Sequence, residues 1–137
     1  MTGIANLLKD NGLKVTPQRI AIYNYLTNTT AHPTADAIYK ALEENYPALS
    51  LATVYKTLDT FKVKGLIQEL NVGEDSFRYD ADDSPHPHFL CKICGTVYDL
   101  PILEGFAKFK ESLAKETGHN IDSEQLYLYG TCKDCSK

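Results

Sequence analysis

Two Cys-x-x-Cys pairs constrain this chain more than any other feature. Cys91 and Cys94 form the first pair, Cys132 and Cys135 form the second, and the 137-residue sequence has no other cysteine. Four thiolates fill the tetrahedral shell of a zinc ion, at Zn–S distances of about 2.3 Å, and leave no open position for chemistry. The spacing therefore predicts one structural zinc that ties the start of the second half of the chain to its C-terminal end.

The alternatives for the cysteines are two disulfides or four buried thiols. The first eight residues lack the basic start and the long apolar run of a secretory signal. No stretch approaches the roughly 20 apolar residues of a membrane span. Both observations indicate a cytoplasmic protein without a membrane partner, and disulfides are the poorer alternative in a reducing compartment.

The charge of the chain differs between its two halves. Residues 1–79 contain 8 Lys+Arg and 8 Asp+Glu, whereas residues 80–137 contain 6 and 10. An acidic total argues weakly against nucleic-acid binding, but the charge on one face is the quantity that matters. We predict two domains, 1–80 and 81–137, with a hinge at about residues 80–87.

Helical patterns fill the first domain, and capping residues mark where the helices begin. The predicted helices are Thr2–Asp10, one that begins at Thr16 and Pro17, one that begins at residues 32–34, and residues 51–64 after the cap Ser50. Gly65 ends the last of them. Residues 66–72 and 77–80 then predict a β-hairpin with its turn at 73–76. Helices followed by a hairpin predict a winged helix-turn-helix.

The fourth helix has one apolar and one polar face. The polar face carries hydroxyls, an aromatic ring and cations: Thr53, Tyr55, Lys56, Thr57, Lys62 and Lys64. Such groups reach base edges and phosphates in a major groove. The residues predicted to bind double-stranded DNA are Lys14, Arg19, Ser50, Thr53, Tyr55, Lys56 and Lys62. The alternative is a small helical bundle whose polar face is only solvated.

The second domain combines short strands with one helix, so the chain as a whole is α+β. Residues 89–90, 96–100 and 125–129 predict strands, and residues 101–117 predict a helix closed by Gly118. Leu126 and Leu128 alternate with Tyr127 and Tyr129, which offers both strand faces for burial. This pattern favours a sheet shared between two subunits, and therefore an α/β dimerisation domain.

The histidines indicate a second metal site. His86 and His88 would project to the same side of an extended chain, Asp80 and Asp99 lie nearby in sequence, and His32 is a remote candidate, exposed at the start of the third helix. Nitrogen and carboxylate ligands favour Fe(II) or Mn(II) over a thiolate-selected metal. The alternative is that Asp82 and Asp83 are solvated loop acids and that His88 is a packed strand residue. His119 has no ligand-type residues near it in the sequence and is predicted to be an ordinary polar residue.

Segments throughout the chain resemble the ferric uptake regulator family. They are GLKVTPQR at 12–19, AHPTAD at 31–36, LATVYK at 51–56, HPH at 86–88 and the two cysteine pairs. The resemblance implies a homodimeric, metal-dependent transcriptional repressor that binds operator DNA, with an N-terminal winged helix and a C-terminal dimerisation domain. It implies structural zinc on Cys91, Cys94, Cys132 and Cys135. It also implies a regulatory Fe(II) or Mn(II) on His32, Asp80, His86, His88 and Asp99.

Two aspartates, at positions 80 and 99, resemble the peroxide-sensing branch of that family. The resemblance implies that Fe(II) at the regulatory site reacts with hydrogen peroxide and that His32 or His86 is oxidised. The alternative is an iron- or zinc-responsive uptake regulator of the same family. Two departures matter: Glu124 stands where some iron-sensing members use a histidine for a further site, and Lys56 stands where relatives often place Asn or Arg.

Enzymes are the rival class. A zinc nucleobase deaminase carries His-x-Glu upstream of Pro-Cys-x-x-Cys, with an open zinc position. This sequence has no His-x-Glu, and Leu90 precedes Cys91. A thiol oxidoreductase would need reactive thiolates, and zinc-bound thiolates are unreactive until the metal leaves. We therefore predict that the protein is not an enzyme and has no small organic substrate.

Overall fold

The chain forms two compact units, Met1–Asp83 and Ser84–Lys137, and each is described by itself. The computed structural model describes residues 2–71, 76–81, 86–102, 105–122 and 124–137. Most of the predicted wing turn and the two loop acids Asp82 and Asp83 lie outside this part of the chain. The functional division into residues 1–80 and 81–137 stays a prediction. Within the described residues, no helix is long and apolar enough to cross a membrane.

Four helices build most of the first unit. They are α1 (Thr2–Asp10), α2 (Pro17–Thr27), α3 (Ala35–Leu42) and α4 (Leu51–Val63). Side-chain caps fix three of the starts, because a cap hydroxyl accepts a hydrogen bond from a backbone N–H that the helix leaves without a partner. Thr16 accepts from the N–H of Arg19, Thr34 from that of Ala37, and Ser50 from that of Thr53, at 3.1–3.2 Å.

Two short strands follow the helices and form the wing. Strand β1 (Gln68–Leu70) pairs antiparallel with β2 (Arg78–Asp80), and Glu69 lies opposite Tyr79. The predicted strand 66–72 therefore began too early. Leu66 and Ile67 are buried in the helical core instead, and the N–H of Leu66 donates to the Phe61 carbonyl at 2.9 Å. These two residues complete the end of α4 rather than extend the wing.

The core of the first unit lies between the four helices and the base of the wing. Its largest fully buried side chain is Phe61, whose ring meets Tyr23 edge-on at a centroid distance of 5.6 Å. The other buried members come from every helix and from the wing region, among them Leu8, Ile22, Ile38, Leu58, Leu66 and Tyr79. The predicted recognition helix α4 is thus anchored along its apolar face.

A three-stranded sheet and one helix form the second unit. Its elements are β3 (His88–Cys91), β4 (Val97–Asp99), α5 (Phe106–Thr117) and β5 (Tyr127–Gly130). The strand order is β4-β3-β5, with β4 antiparallel and β5 parallel to β3. The prediction that the helix begins at residue 101 is wrong. It begins at Phe106, because Gly105 with φ of +95° adopts a left-handed conformation that a helix cannot include.

Candidate metal centres and nucleic-acid interface

The four cysteines meet in one cluster in the second unit. Their sulfur atoms all lie within 4.8 Å of one another, and none is in a disulfide. Cys91 is the last residue of β3, and its parallel pairing with Gly130 on β5 brings the second cysteine pair alongside. The sequence prediction of a single four-sulfur cluster is therefore met by the fold, and the disulfide alternative is not.

Hydrogen bonds prepare Cys91 to bind as a thiolate. Its sulfur accepts from the backbone N–H groups of Ile93, Cys94 and Cys132 at 3.4, 3.5 and 3.3 Å. These donors, that of Cys94 first, lower the pKa of Cys91 to about 6. A hydrogen bond from the Tyr98 hydroxyl is the largest cause that lowers the pKa of Cys132. A hydrogen bond with Cys132 raises the pKa of Cys135 to about 12.

The donor set of this cluster fits a structural zinc ion. Two of the thiols are already biased toward thiolate, and the nearby sulfurs force a proton to stay on Cys135 as long as no cation neutralises them. Four sulfurs complete a tetrahedral shell and leave no position for a substrate. The four-cysteine cluster therefore suits a structural ion and not a catalytic one.

Two hydroxyls near β4 contact this cluster, and sequence reasoning missed both. The thiol of Cys94 donates to Thr96 Oγ1 at 3.2 Å, and the hydroxyl of Tyr98 binds Cys132. The hydrogen bond with Cys132 is also the largest cause that raises the pKa of Tyr98 to about 12. Residues 96 and 98 are two apart in extended chain, so their side chains leave the same face. A hydroxyl at positions i and i+2 next to a cysteine pair is the sequence signal from which these two contacts could have been predicted.

Two histidines and an aspartate converge in the second unit. Nε2 of His86 and Nε2 of His88 lie 2.8 and 3.2 Å from the same oxygen, Oδ1 of Asp99. The register explains this geometry, since His88 on β3 lies directly opposite Asp99 on β4. His88 is buried, and the two imidazole rings lie 4.4 Å apart. Two imidazole nitrogens thus lie next to the same carboxylate oxygen.

A second imidazole–carboxylate pair lies in the first unit. His32 Nε2 is 3.3 Å from Oδ2 of Asp80 at the end of the wing. The prediction that His32 is exposed is wrong: only 3 % of the residue is accessible. The N–H of Tyr79 donates to the Pro33 carbonyl at 3.0 Å and Nη1 of Arg78 donates to the His32 carbonyl at 3.3 Å, so β2 covers the histidine. The backbone of His32 also has a φ of +51°, which is uncommon for a residue other than glycine.

The predicted DNA-binding residues divide into three groups. A groove between α2 and α4 is lined by Lys14, Arg19, Thr53 and Lys56, and Nη1 of Arg19 donates to the Lys14 carbonyl at 2.9 Å. Tyr55 is 46 % exposed, although it is a large aromatic residue. The two remaining residues have internal partners, since the Ser50 hydroxyl caps α4 and the Lys62 ammonium binds Glu69.

One member of the predicted polar face is largely withdrawn from solvent. Thr57 is buried, so its assignment to the exposed face of α4 is wrong. Position 57 follows Val54 by three residues and precedes Phe61 by four, which places it on the apolar stripe. His119, in contrast, is exposed, as expected for an ordinary polar residue.

The fold and these sites together define a class, a metal-binding protein with a winged helix-turn-helix. The model of the ferric uptake regulator family matches residues 10–129. The chain belongs to the ferric uptake regulator family, and the predicted fold class, a winged helix-turn-helix followed by an α/β domain, is confirmed.

Three known proteins show how close the likeness is. The peroxide operon regulator of Bacillus subtilis is 45% identical over 130 residues, which cover 95% of this chain and 89% of that protein. The transcriptional regulator PerR of Clostridium acetobutylicum is 50% identical over 135 residues, or 98% and 97% of the two chains. The crystal structure of the Campylobacter jejuni peroxide stress regulator has a TM-score of 0.76 and 35% identity, and it covers 95% of this chain and 97% of that one.

Proposed function

We propose that this protein is a metal-dependent transcriptional repressor that binds operator DNA as a homodimer and senses hydrogen peroxide through Fe(II)-catalysed histidine oxidation. The observation that carries the proposal is the pairing of imidazoles with aspartates among the described residues: His32 with Asp80, and His86 and His88 with Asp99. The similar proteins named as peroxide regulators, those of Bacillus subtilis and Campylobacter jejuni, support the same function.

The regulatory ion takes ligands from both units in this proposal. His32 and Asp80 supply one part of the shell, and His86, His88 and Asp99 supply the other. The donor set of nitrogen and carboxylate oxygen, without thiolate, fits Fe(II) or Mn(II). Two carboxylates also balance the charge of a divalent ion. A shell completed by residues of both units would link their orientation to metal binding.

Orientation matters because a repressor dimer must present two recognition helices to two half-sites at a fixed spacing. Loss of one ligand removes the constraint and weakens operator binding. A coupling of roughly 1–3 kcal/mol would change the affinity about 5–150-fold. Bound Fe(II) would supply the electron that activates peroxide, and the oxidised residue would be His32 or His86.

The remaining roles follow from the same assignment. Cys91, Cys94, Cys132 and Cys135 hold a structural zinc. The DNA-binding surface consists of Lys14, Arg19, Ser50, Thr53, Tyr55, Lys56 and Lys62. The exposed apolar residues of the second unit pair it with a second copy. A repressor acts where the chromosome is, so the proposal includes a cytoplasmic location. It assigns no enzymatic turnover, because the oxidised histidine belongs to the protein itself.

The test is peptide mass spectrometry after a brief, low dose of hydrogen peroxide. Fe(II)-loaded protein is compared with a Mn(II)-loaded control, since both ions suit the ligand set but only iron supplies the electron. We expect a gain of one oxygen on the peptide with His32 or His86 in the iron sample alone. Unmodified histidines with iron shown to be bound would point instead to a regulator that responds to the metal level.

A further inference from the structure

A carboxylate on the wing holds a lysine of the recognition helix. Lys62, in the last turn of α4, has its Nζ 3.1 Å from Oε1 of Glu69 on β1. The other carboxylate oxygen, Oε2 of Glu69, accepts from the Tyr79 hydroxyl at 3.4 Å. The three residues thus form a short chain of contacts that runs from the helix across both strands of the wing, within one unit.

The two ends of this chain differ in how firmly they are fixed. Tyr79 is buried, and burial together with the Glu69 charge raises the pKa of its hydroxyl, which therefore remains a hydrogen-bond donor. The Glu69 side chain is 23% exposed and that of Lys62 is 45% exposed. The carboxylate is consequently the anchored partner, and the ammonium is the partner that solvent or an incoming anion can reach.

A DNA phosphate and Glu69 would compete for the same ammonium. Phosphate contacts by cations give DNA binding its affinity and its salt dependence, with a slope of about −0.9 for each neutralised phosphate. A lysine that already balances a carboxylate releases fewer counterions when DNA arrives.

We propose that Glu69 is an affinity-setting residue of the DNA-binding surface, which lowers operator affinity by engaging Lys62. This inference rests on the proposed function, because it concerns the same interface. It means that the protein binds DNA less tightly than its cations alone would permit. A repressor whose release depends on losing one metal site benefits from such a limit, since the residual affinity without metal stays low.

The experiment compares Glu69→Gln with Glu44→Gln, which removes the same charge from an exposed position in the same unit. The probe is a DNA duplex selected from a random-sequence library by the Mn(II)-loaded wild-type protein, titrated over a range of salt concentrations. We expect Glu69→Gln to bind about 3–10-fold more tightly and to steepen the salt slope by about 0.9, the value for one added phosphate contact. Glu44→Gln should keep the wild-type slope.

A second background isolates the lysine. In Lys62→Ala protein, Glu69→Gln should leave the salt slope unchanged, because the ammonium that it frees is gone. Thermal unfolding of each variant separates lost folding from altered binding. Equal slopes for Glu69→Gln and Glu44→Gln, or a steeper slope that persists without Lys62, would overturn the inference. Wild-type protein that selects no duplex would contradict the proposed function itself.

Discussion

Individual hydroxyl groups contact the sulfur atoms of the cysteine cluster. The Thr96 hydroxyl lies 3.2 Å from the Cys94 sulfur, where it accepts from the thiol and can donate once the sulfur is a thiolate. Cys94 is the exposed member of the cluster, whereas Cys91 and Cys132 are buried. Its sulfur is therefore the one at which chelators and oxidants would begin, and a neighbouring donor there matters most.

Replacing Thr96 with Val tests this role, because the two side chains have nearly the same shape. We expect the variant to lose zinc to a chelator about tenfold faster, the lower end of the effect that ligand-supporting residues have on metal affinity. Thr117→Val is the matched control, since Thr117 uses its hydroxyl on a helix carbonyl of α5. Zinc release at the wild-type rate in Thr96→Val would show that the contact has no influence.

The lowered pKa of Cys91 predicts how its thiol ionises with pH in the zinc-free, reduced protein. Its pKa is lowered from the ordinary 9.0 to about 6, so the charged form is the one that the fold stabilises. That stabilisation is complete above pH 9.0 and is lost as the pH falls through about 6. The ultraviolet absorbance of thiolate should accordingly show a step near pH 6 that Cys91→Ser removes. A first step near the ordinary pKa of 9.0 would contradict this prediction.

At the scale of elements, the helix starts of the first unit could be predicted and the start of the helix after the cysteines could not. Thr16, Thr34 and Ser50 cap their helices through contacts with residues only three positions away, so short sequence windows contain the whole interaction. The start of α5 depends on the left-handed Gly105, and nothing in the local sequence distinguished it from a glycine inside a helix. The predicted first wing strand was too long, because apolar residues such as Leu66 and Ile67 are equally common in strands and in the cores of helical domains.

Gly65 shows how one residue sets the end of an element. It follows α4 with a φ of +73°, and a Cβ there would meet no atom within 4 Å, so the only penalty for a side chain is conformational. We expect Gly65→Ala to lower the free energy of unfolding by about 1–2 kcal/mol. Gly3→Ala, in the first turn of α1, should be neutral or slightly stabilising. Denaturant titration of both variants measures the difference, and equal midpoints would contradict the prediction.

For the whole molecule, sequence reasoning identified ligand types better than their surroundings. The residues at both imidazole–carboxylate pairs were predicted, since histidines and aspartates are few and their spacing is informative. The burial of His32 was not predicted. Strand β2 covers this histidine through contacts between residues far apart in the chain, such as the hydrogen bond from Arg78 to the His32 carbonyl. The pairing of Lys62 with Glu69 was missed for a related reason, as it needs the wing to fold back beside α4.

The second unit has an apolar surface that two copies of the chain could share. Helix α5, the edge strand β5 and the residue that precedes β5 expose large apolar side chains: Phe109 by 65%, Leu113 by 40%, Leu126 by 38%, Leu128 by 47% and Tyr129 by 49%. An edge strand also presents backbone N–H and C=O groups to a further strand. Contiguous apolar surface of this kind marks an interface in soluble proteins. This surface is therefore where we expect the homodimer of the proposed function to form.

Leu128→Glu tests this surface directly. A carboxylate buried at an interface without a partner costs on the order of 3–5 kcal/mol, so the variant should be monomeric at micromolar concentrations at which the wild type is a dimer. Val63→Glu is the control, because Val63 is equally apolar and 75% exposed but lies at the end of α4 in the first unit. Sedimentation analysis should find that control dimeric. The zinc content of Leu128→Glu should stay at the wild-type level, because the predicted zinc ligands are the four cysteines. A dimeric Leu128→Glu protein would show that the interface lies elsewhere.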